Sequence, residues 1–205
     1  MNKIEEKHDI PKENLEEKID DFEFEGAIVS VIPQTDGSFT IRAAFLNDAA
    51  TPNEAPAAIS GADVDGTPWL TVAKRELSLD VKEIKGDQDN PRIVAYHNTT
   101  NLSANDDETP WCSSFVNFCM KEGGIDGTHS ALARSWEKWG KRLNQPTTGC
   151  VVVLERPAGG ANAGHVGFYL GEQNNEIHLL GGNQGDKVCI APFKKNRVIA
   201  YRWPS

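Results

Sequence analysis

No stretch of this 205-residue chain approaches the length of apolar sequence that a membrane-spanning helix requires. Its opening, Met1-Asn2-Lys3-Ile4-Glu5-Glu6-Lys7, lacks the apolar segment of a secretory signal, so synthesis in the cytoplasm without a signal peptide is the expectation. A basic excess is missing too: 30 Asp/Glu face 21 Lys/Arg, a net charge of −9, which argues against nucleic acid as a partner. The four cysteines, Cys112, Cys119, Cys150 and Cys189, show no paired spacing of the kind that holds zinc or builds a disulfide framework. Cys119, Cys150 and Cys189 lie in or beside apolar segments and read as small core residues. The glycine pairs at 123, 159 and 181 do not sit between a strand and a helix, so no nucleotide cofactor is implied. Asp63-Val64-Asp65-Gly66 and Asp106-Asp107-Glu108 lack the spaced oxygen ligands of a calcium loop and read as solvated acidic loops, with no metal expected. No internal repeat is present.

What acidity there is lies at one end. Residues 1–66 hold 15 Asp/Glu against 5 Lys/Arg, whereas residues 67–205 hold 15 against 16. The Pro/Ala/Asn/Gly-rich run from Asn47 to Asp65 precedes this change, which places a boundary near Gly66. In the acidic part, residues 11–22 carry Leu15 and Ile19 at helical spacing, and either a short amphipathic helix or a disordered tail is compatible with them. The β-rich runs Gly26–Ile32 and Ser38–Phe45 flank a turn containing Asp36-Gly37, a hairpin signal. Two strands alone are marginal in water, so the hairpin is expected to lean on the rest of the chain or on a partner.

The nearly neutral remainder reads as helices followed by an antiparallel sheet, an α+β pattern. Thr67-Pro68 opens a helix through about Leu77, burying Trp69, Val72, Ala73 and Leu77. Ser130–Trp139 reads as another helix, and strands are expected near 150–155, 165–170, 176–180, 187–191 and 197–203.

Chemistry concentrates on Cys112. Thr109 suits an N-cap and Pro110 the first helical position, followed by the helically spaced Phe115, Val116 and Cys119 and a stop at Gly123-Gly124. Cys112 is thereby placed in the first turn of a buried helix, where the dipole and unpaired N–H groups favour thiolate. A nucleophile needs a base and the base an orienting group. Of the histidines, His165 stands out because it opens the strand Gly164-His165-Val166-Gly167-Phe168-Tyr169-Leu170-Gly171, with Val166, Phe168 and Leu170 on one face and His165, Gly167 and Tyr169 on the other. Gly167 is expected to leave cleft space beside the imidazole. Asn183, eighteen positions after His165 in Gly181-Gly182-Asn183-Gln184-Gly185, suits the end of the neighbouring strand and the orienting role, although a Gly-Gly-Asn turn is also ordinary turn chemistry. Trp111 either walls the cleft or staples the helix start. Ser113, Gln184 and Tyr96 are candidate substrate contacts, with structural roles favoured for Gln184 and Tyr96. His178 reads as a satisfied or exposed strand residue, and His97 has no ligand set near it.

From Pro68 to Pro204 the chain resembles the NlpC-type and CHAP-type cysteine peptidases of bacterial and phage cell-wall hydrolases, within the papain-like superfamily. The motifs that carry the resemblance are Pro68-Trp69-Leu70, Asn90-Pro91-Arg92-Ile93, Trp111-Cys112-Ser113-Ser114-Phe115-Val116-Asn117, Ser130-Ala131-Leu132-Ala133-Arg134-Ser135-Trp136, Gly164-His165-Val166-Gly167-Phe168-Tyr169 and Leu180-Gly181-Gly182-Asn183-Gln184. Many NlpC-type enzymes carry Asp where this chain has Trp111, and His where it has Asn183. The resemblance implies a papain-like domain over 67–205, with residues 1–66 as an appendage. It implies Cys112 as nucleophile, His165 as base, Asn183 as orienting residue, no cofactor, and a peptide amide of peptidoglycan as substrate. Such an enzyme would reach the periplasm or wall by phage lysis or through a secretion device, the second route implying an immunity protein as partner. The alternatives are a Cys/His deamidase or acyltransferase toxin acting on a protein, and a non-catalytic wall-binding module.

Overall fold

The computed structural model describes residues 3–12, 14, 22, 28–45, 66–86, 88–102, 104–156 and 163–205. The fold is α+β. Helix α1 (Pro68–Ser78) starts with proline, whose missing N–H has no helical partner at that position anyway, and it buries Trp69, Leu70, Val72, Ala73 and Glu76. Helix α2 (Pro91–His97) is capped by the Asn90 side chain, which accepts the Arg92 N–H at 2.9 Å. Helix α3 (Cys112–Glu122) starts later than the expected Thr109 cap. The Asp106 carboxylate takes the Thr109 N–H at 2.7 Å, and Trp111 occupies the cap position without a side-chain bond.

Every residue of α3 from Cys112 to Met120 is buried, as in a helix surrounded by protein on all sides. Gly124, at φ 76°, ends it in the left-handed conformation that glycine adopts without strain. A Cβ on the preceding Gly123 would lie 2.7 Å from the Trp69 amide nitrogen, so the end of α3 presses directly on the start of α1.

The helices pack on a six-stranded antiparallel sheet of order β4-β9-β5-β6-β7-β8. Its strands are β4 (Lys141–Leu143), β5 (Val151–Glu155), β6 (Gly164–Gln173), β7 (Glu176–Gly181), β8 (Cys189–Lys194) and β9 (Val198–Trp203). Side chains alternate between two apolar clusters. Val151, Val153, Val166, Phe168, Leu170 and Leu180 join the cluster that holds α1, α2 and α3. Cys150, Val152, Leu154, Tyr169, Ile177, Leu179 and Phe193 form the cluster on the other face.

The expected helix at Ser130–Trp139 is instead a short 3-10 helix over Ala133–Lys138. Indole hydrogen bonds from Trp136 to Ser113 Oγ (2.9 Å) and from Trp139 to the Asp126 carbonyl (3.0 Å) fix this segment against its neighbours. No helix among the described residues is long and apolar enough to cross a membrane.

The N-terminal hairpin, β2 (Ile28–Pro33) and β3 (Phe39–Phe45), turns at Gly37 (φ 88°) and gains a third strand, β1 (Lys3–Ile10), on the far edge of β3. Ile10, Phe22, Ile41 and Ala43 form its core. Its third strand therefore comes from within the acidic segment itself. The linker at 46–65, with Asp63 and Asp65, and most of the 11–22 segment lie outside the described residues.

Beneath α3 the fully buried Glu76 accepts two bonds from Arg92 (2.6 and 2.7 Å) and one from the Tyr96 hydroxyl (2.8 Å). Burial opposes its ionisation, but Arg92, Tyr96 and Arg75 outweigh that and hold the carboxyl below its ordinary range. Replacing Glu76 by Ala strands a guanidinium and a buried phenol, so a loss of about 3 kcal/mol is expected in urea unfolding.

Candidate active site

Cys112 opens α3, so its own N–H and those of Ser113 and Ser114 precede the first intrahelical bond, Phe115 N–H to the Trp111 carbonyl at 2.9 Å. The sulfur lies near the start of β6, where the Val166 N–H favours its thiolate form, as do the Ser113 and Cys112 N–H groups from the helix side. Val166 follows His165 in the chain, so Cys112 and His165 both lie near the beginning of β6. Both line one cavity of about 190 Å³, together with Asn183, Arg156, Gly185 and Asp186.

His165 is fully buried and stacks on Phe193 with ring centroids 5.1 Å apart and planes 29° from parallel. Its Nε2 is 2.9 Å from Gln184 Oε1. The amide nitrogen of Gln184 donates to the carbonyls of Leu179 (3.2 Å) and Cys189 (2.6 Å), which fixes which end of the amide faces the ring. An amide oxygen only accepts, so Nε2 carries the proton and Nδ1 the lone pair. Backbone proximity makes this clamp possible. A Cβ on Gly181 would fall 2.6 Å from Gln184 Oε1 and 3.5 Å from His165 Nε2, and one on Gly182 would enter the ring of Trp111.

The side chain on the imidazole is thus Gln184, the neighbour of the expected Asn183. Asn183 sits at φ 55° in the turn after β7, and this left-handed residue breaks the strand alternation, sending Gln184 inward while Asn183 lines the cavity. Gly167 does not open the cleft, because its Cβ would meet the Leu180 carbonyl (3.2 Å) and Leu179 Cβ (3.3 Å) of β7.

Trp111 is fully buried, donates to Glu83 at 2.8 Å and staples the helix start. Ser113 Oγ donates to the Ser130 carbonyl at 2.7 Å and accepts from Trp136, and Tyr96 is held by Glu76, so neither lines the cavity. His97, at the end of α2, is buried with Nδ1 3.0 Å from Ser114 Oγ. Nor is the acidic loop wholly solvated. The Asp89, Asp107 and Glu108 carboxylates approach within 4.8 Å of one another. Asp107 is fully buried, and one of its oxygens accepts the N–H groups of Ile84 (2.9 Å) and Asn90 (2.8 Å). No disulfide joins the four cysteines. Arg156, which the sequence reading did not single out, adjoins His165 through strand register: β5 ends on the pairs Leu154–His165 and Glu155–Gly164.

The electrostatics reverse the expected thiolate. Burial pushes the Cys112 thiol up to about 11, and the three N–H groups and the Arg156 charge only partly offset it. Burial likewise drives His165 down to about 4, against the pull of Gln184 and assisted by the Arg197 and Arg156 charges. Both shifts favour the uncharged forms, thiol and neutral imidazole. Alkylation of Cys112 by iodoacetamide, followed by mass spectrometry, is expected to accelerate continuously from pH 7 to 10. A rate plateau reached below pH 8 would mean a stable thiolate instead. No family model and no curated protein matches the chain.

Proposed function

We propose that this protein is a papain-like cysteine amidase or endopeptidase that cuts an amide bond in the peptide part of peptidoglycan. The observation that carries the reading is the Gln184-oriented His165 beside a cysteine at a helix start, both on one cavity. With Nε2–H held by Gln184, Nδ1 takes the proton from Cys112 as the sulfur attacks the carbonyl carbon. The Cys112 and Ser113 N–H groups face the place where negative charge gathers on the carbonyl oxygen. The imidazolium then protonates the leaving amine as the carbon–nitrogen bond breaks, giving a thioester. Water, deprotonated by the same Nδ1, releases the acid and restores the thiol. The neutral resting pair suits this order, since the base removes the proton during attack.

The choice of peptidoglycan rests on the ordered motifs around Cys112, His165 and Gln184 and their resemblance to wall hydrolases. Under this reading the enzyme acts in the periplasm or at the wall after lysis or delivery, and an immunity protein that blocks the cavity is the natural partner. Incubation of purified sacculi with wild type should release new muropeptides detectable by mass spectrometry, and Cys112→Ala should lower that activity by more than about a thousand-fold. Intact muropeptides with a competent, alkylatable wild type would shift the reading to a protein deamidase or acyltransferase built on the same three residues.

Gln184→Ala should lower kcat about a hundred-fold or more, because the imidazole loses its fixed tautomer. Asn183→Gly, which tolerates the left-handed backbone, should cost less than about ten-fold. The reverse ranking in steady-state kinetics would return the orienting role to Asn183.

A further inference from the structure

Two of the segments that line the cavity beside Cys112 come from different parts of the fold. One is the start of α3, with Pro110 and Cys112; the other is the connection between β7 and β8, with Asn183, Gly185 and Asp186. Glu83 belongs to neither and takes no part in bond cleavage, yet it is bonded to both. Its N–H donates to the Asp186 carbonyl at 2.8 Å, beside an antiparallel bridge of Lys82 with Lys187 and the bond from Val188 N–H to the Val81 carbonyl (2.8 Å). Its carboxyl oxygen accepts the Trp111 indole N–H at 2.8 Å, immediately before Cys112. A Cβ on Gly182 would fall 2.4 Å from the Trp111 ring, so the same indole packs on the backbone that leads to Gln184. The spacing of the two segments is therefore set through one half-buried carboxyl.

That carboxyl is crowded by charge of its own sign. Asp186 from the β7–β8 connection, and Asp107 and Glu108 from the loop before α3, oppose its ionisation, while Lys82 on its own segment turns its ammonium to Asp80 (2.6 Å). Burial is the larger effect, and together they push the Glu83 carboxyl up to about 7 against the pull of the indole bond. Once ionised, Glu83 is a stronger, charge-assisted acceptor for the indole and repels Asp186, so one grip tightens as the other loosens. Resting on the amidase reading above, we propose that Glu83 is a positioning residue that holds the cavity in working shape while it carries its proton, and that loss of this proton lets the Asp186 segment draw back and lowers turnover. The reacting groups titrate elsewhere, Cys112 pushed up to about 11 and His165 down to about 4, so a change near neutral pH is not theirs.

The Trp111 indole N–H of the isotope-labelled full chain, assigned with Trp111→Phe, is followed by NMR from pH 5 to 9, which requires no turnover. Its resonance should shift with a midpoint at about 7, and the amides of Gly185 and Asp186 should shift with the same midpoint. Glu83→Gln, which keeps the accepting oxygen without the charge, should abolish both titrations. Asp186→Asn, compatible with φ 59°, should keep the indole titration and lower its midpoint by about half a pH unit. In sacculus digestion the wild-type rate should fall about three-fold or more from pH 6 to pH 8.5, and that ratio should return to near one in Glu83→Gln. An indole that titrates only below pH 5.5 or not at all, Gly185 and Asp186 amides that do not follow it, a midpoint unmoved in Asp186→Asn, or a fall in rate that survives Glu83→Gln would overturn the assignment. Sacculus cleavage with an indole that does not titrate would sink this inference alone. A shared titration without cleavage of sacculi would sink the amidase reading and leave the proton-linked brace standing.

Discussion

One side-chain amide, that of Gln184, ties the site to the sheet. Its nitrogen joins the carbonyl of Leu179 on β7 to that of Cys189 on β8, and its oxygen holds the imidazole of His165 on β6. Three adjacent strands thus converge on one group, and the ring cannot rotate without breaking a connection to the sheet. The two glycines before it are part of the same device, because any Cβ at 181 or 182 would occupy space that Gln184, His165 or Trp111 already fills. Packing and the geometry of the candidate site are one constraint here.

Much of this was legible in the residues. Alternation in 151–155, 164–173 and 176–181 marks strands whose faces sort into two cores, and the apolar run after Cys112 marks a buried helix. Other features were hidden for physical reasons. The strand β1 alternates charged and apolar residues weakly, and its pairing with β3 is a long-range event that no local pattern encodes. Helix α2 has seven residues, too few for a periodic signal, and reveals itself only through Asn90-Pro91. At 133–138 an apolar helical spacing exists, yet the segment winds as a 3-10 helix held by the Trp136 indole on Ser113, a tertiary contact that spacing does not encode.

The choice between Asn183 and Gln184 was beyond a spacing argument. Both are amides and adjacent, so either reaches the strand end, and only the left-handed backbone at 183 decides which one turns inward. The charge state of Cys112 was hidden similarly. A helix start predicts a lowered thiol, yet the same packing that buries α3 removes water from the sulfur, and desolvation outweighs the N–H groups aimed at it. Position along a helix can be read from sequence; the depth at which it is buried is a tertiary quantity.

That buried sulfur, its thiol form favoured by desolvation, bears on how Cys112 meets oxidants. Peroxide and disulfide reagents attack thiolates, and their rates follow thiolate population and exposure. A buried sulfur whose proton is held by desolvation presents little to an oxidant. Oxidants would therefore modify Cys112 far more slowly than a cysteine resting as a thiolate–imidazolium pair.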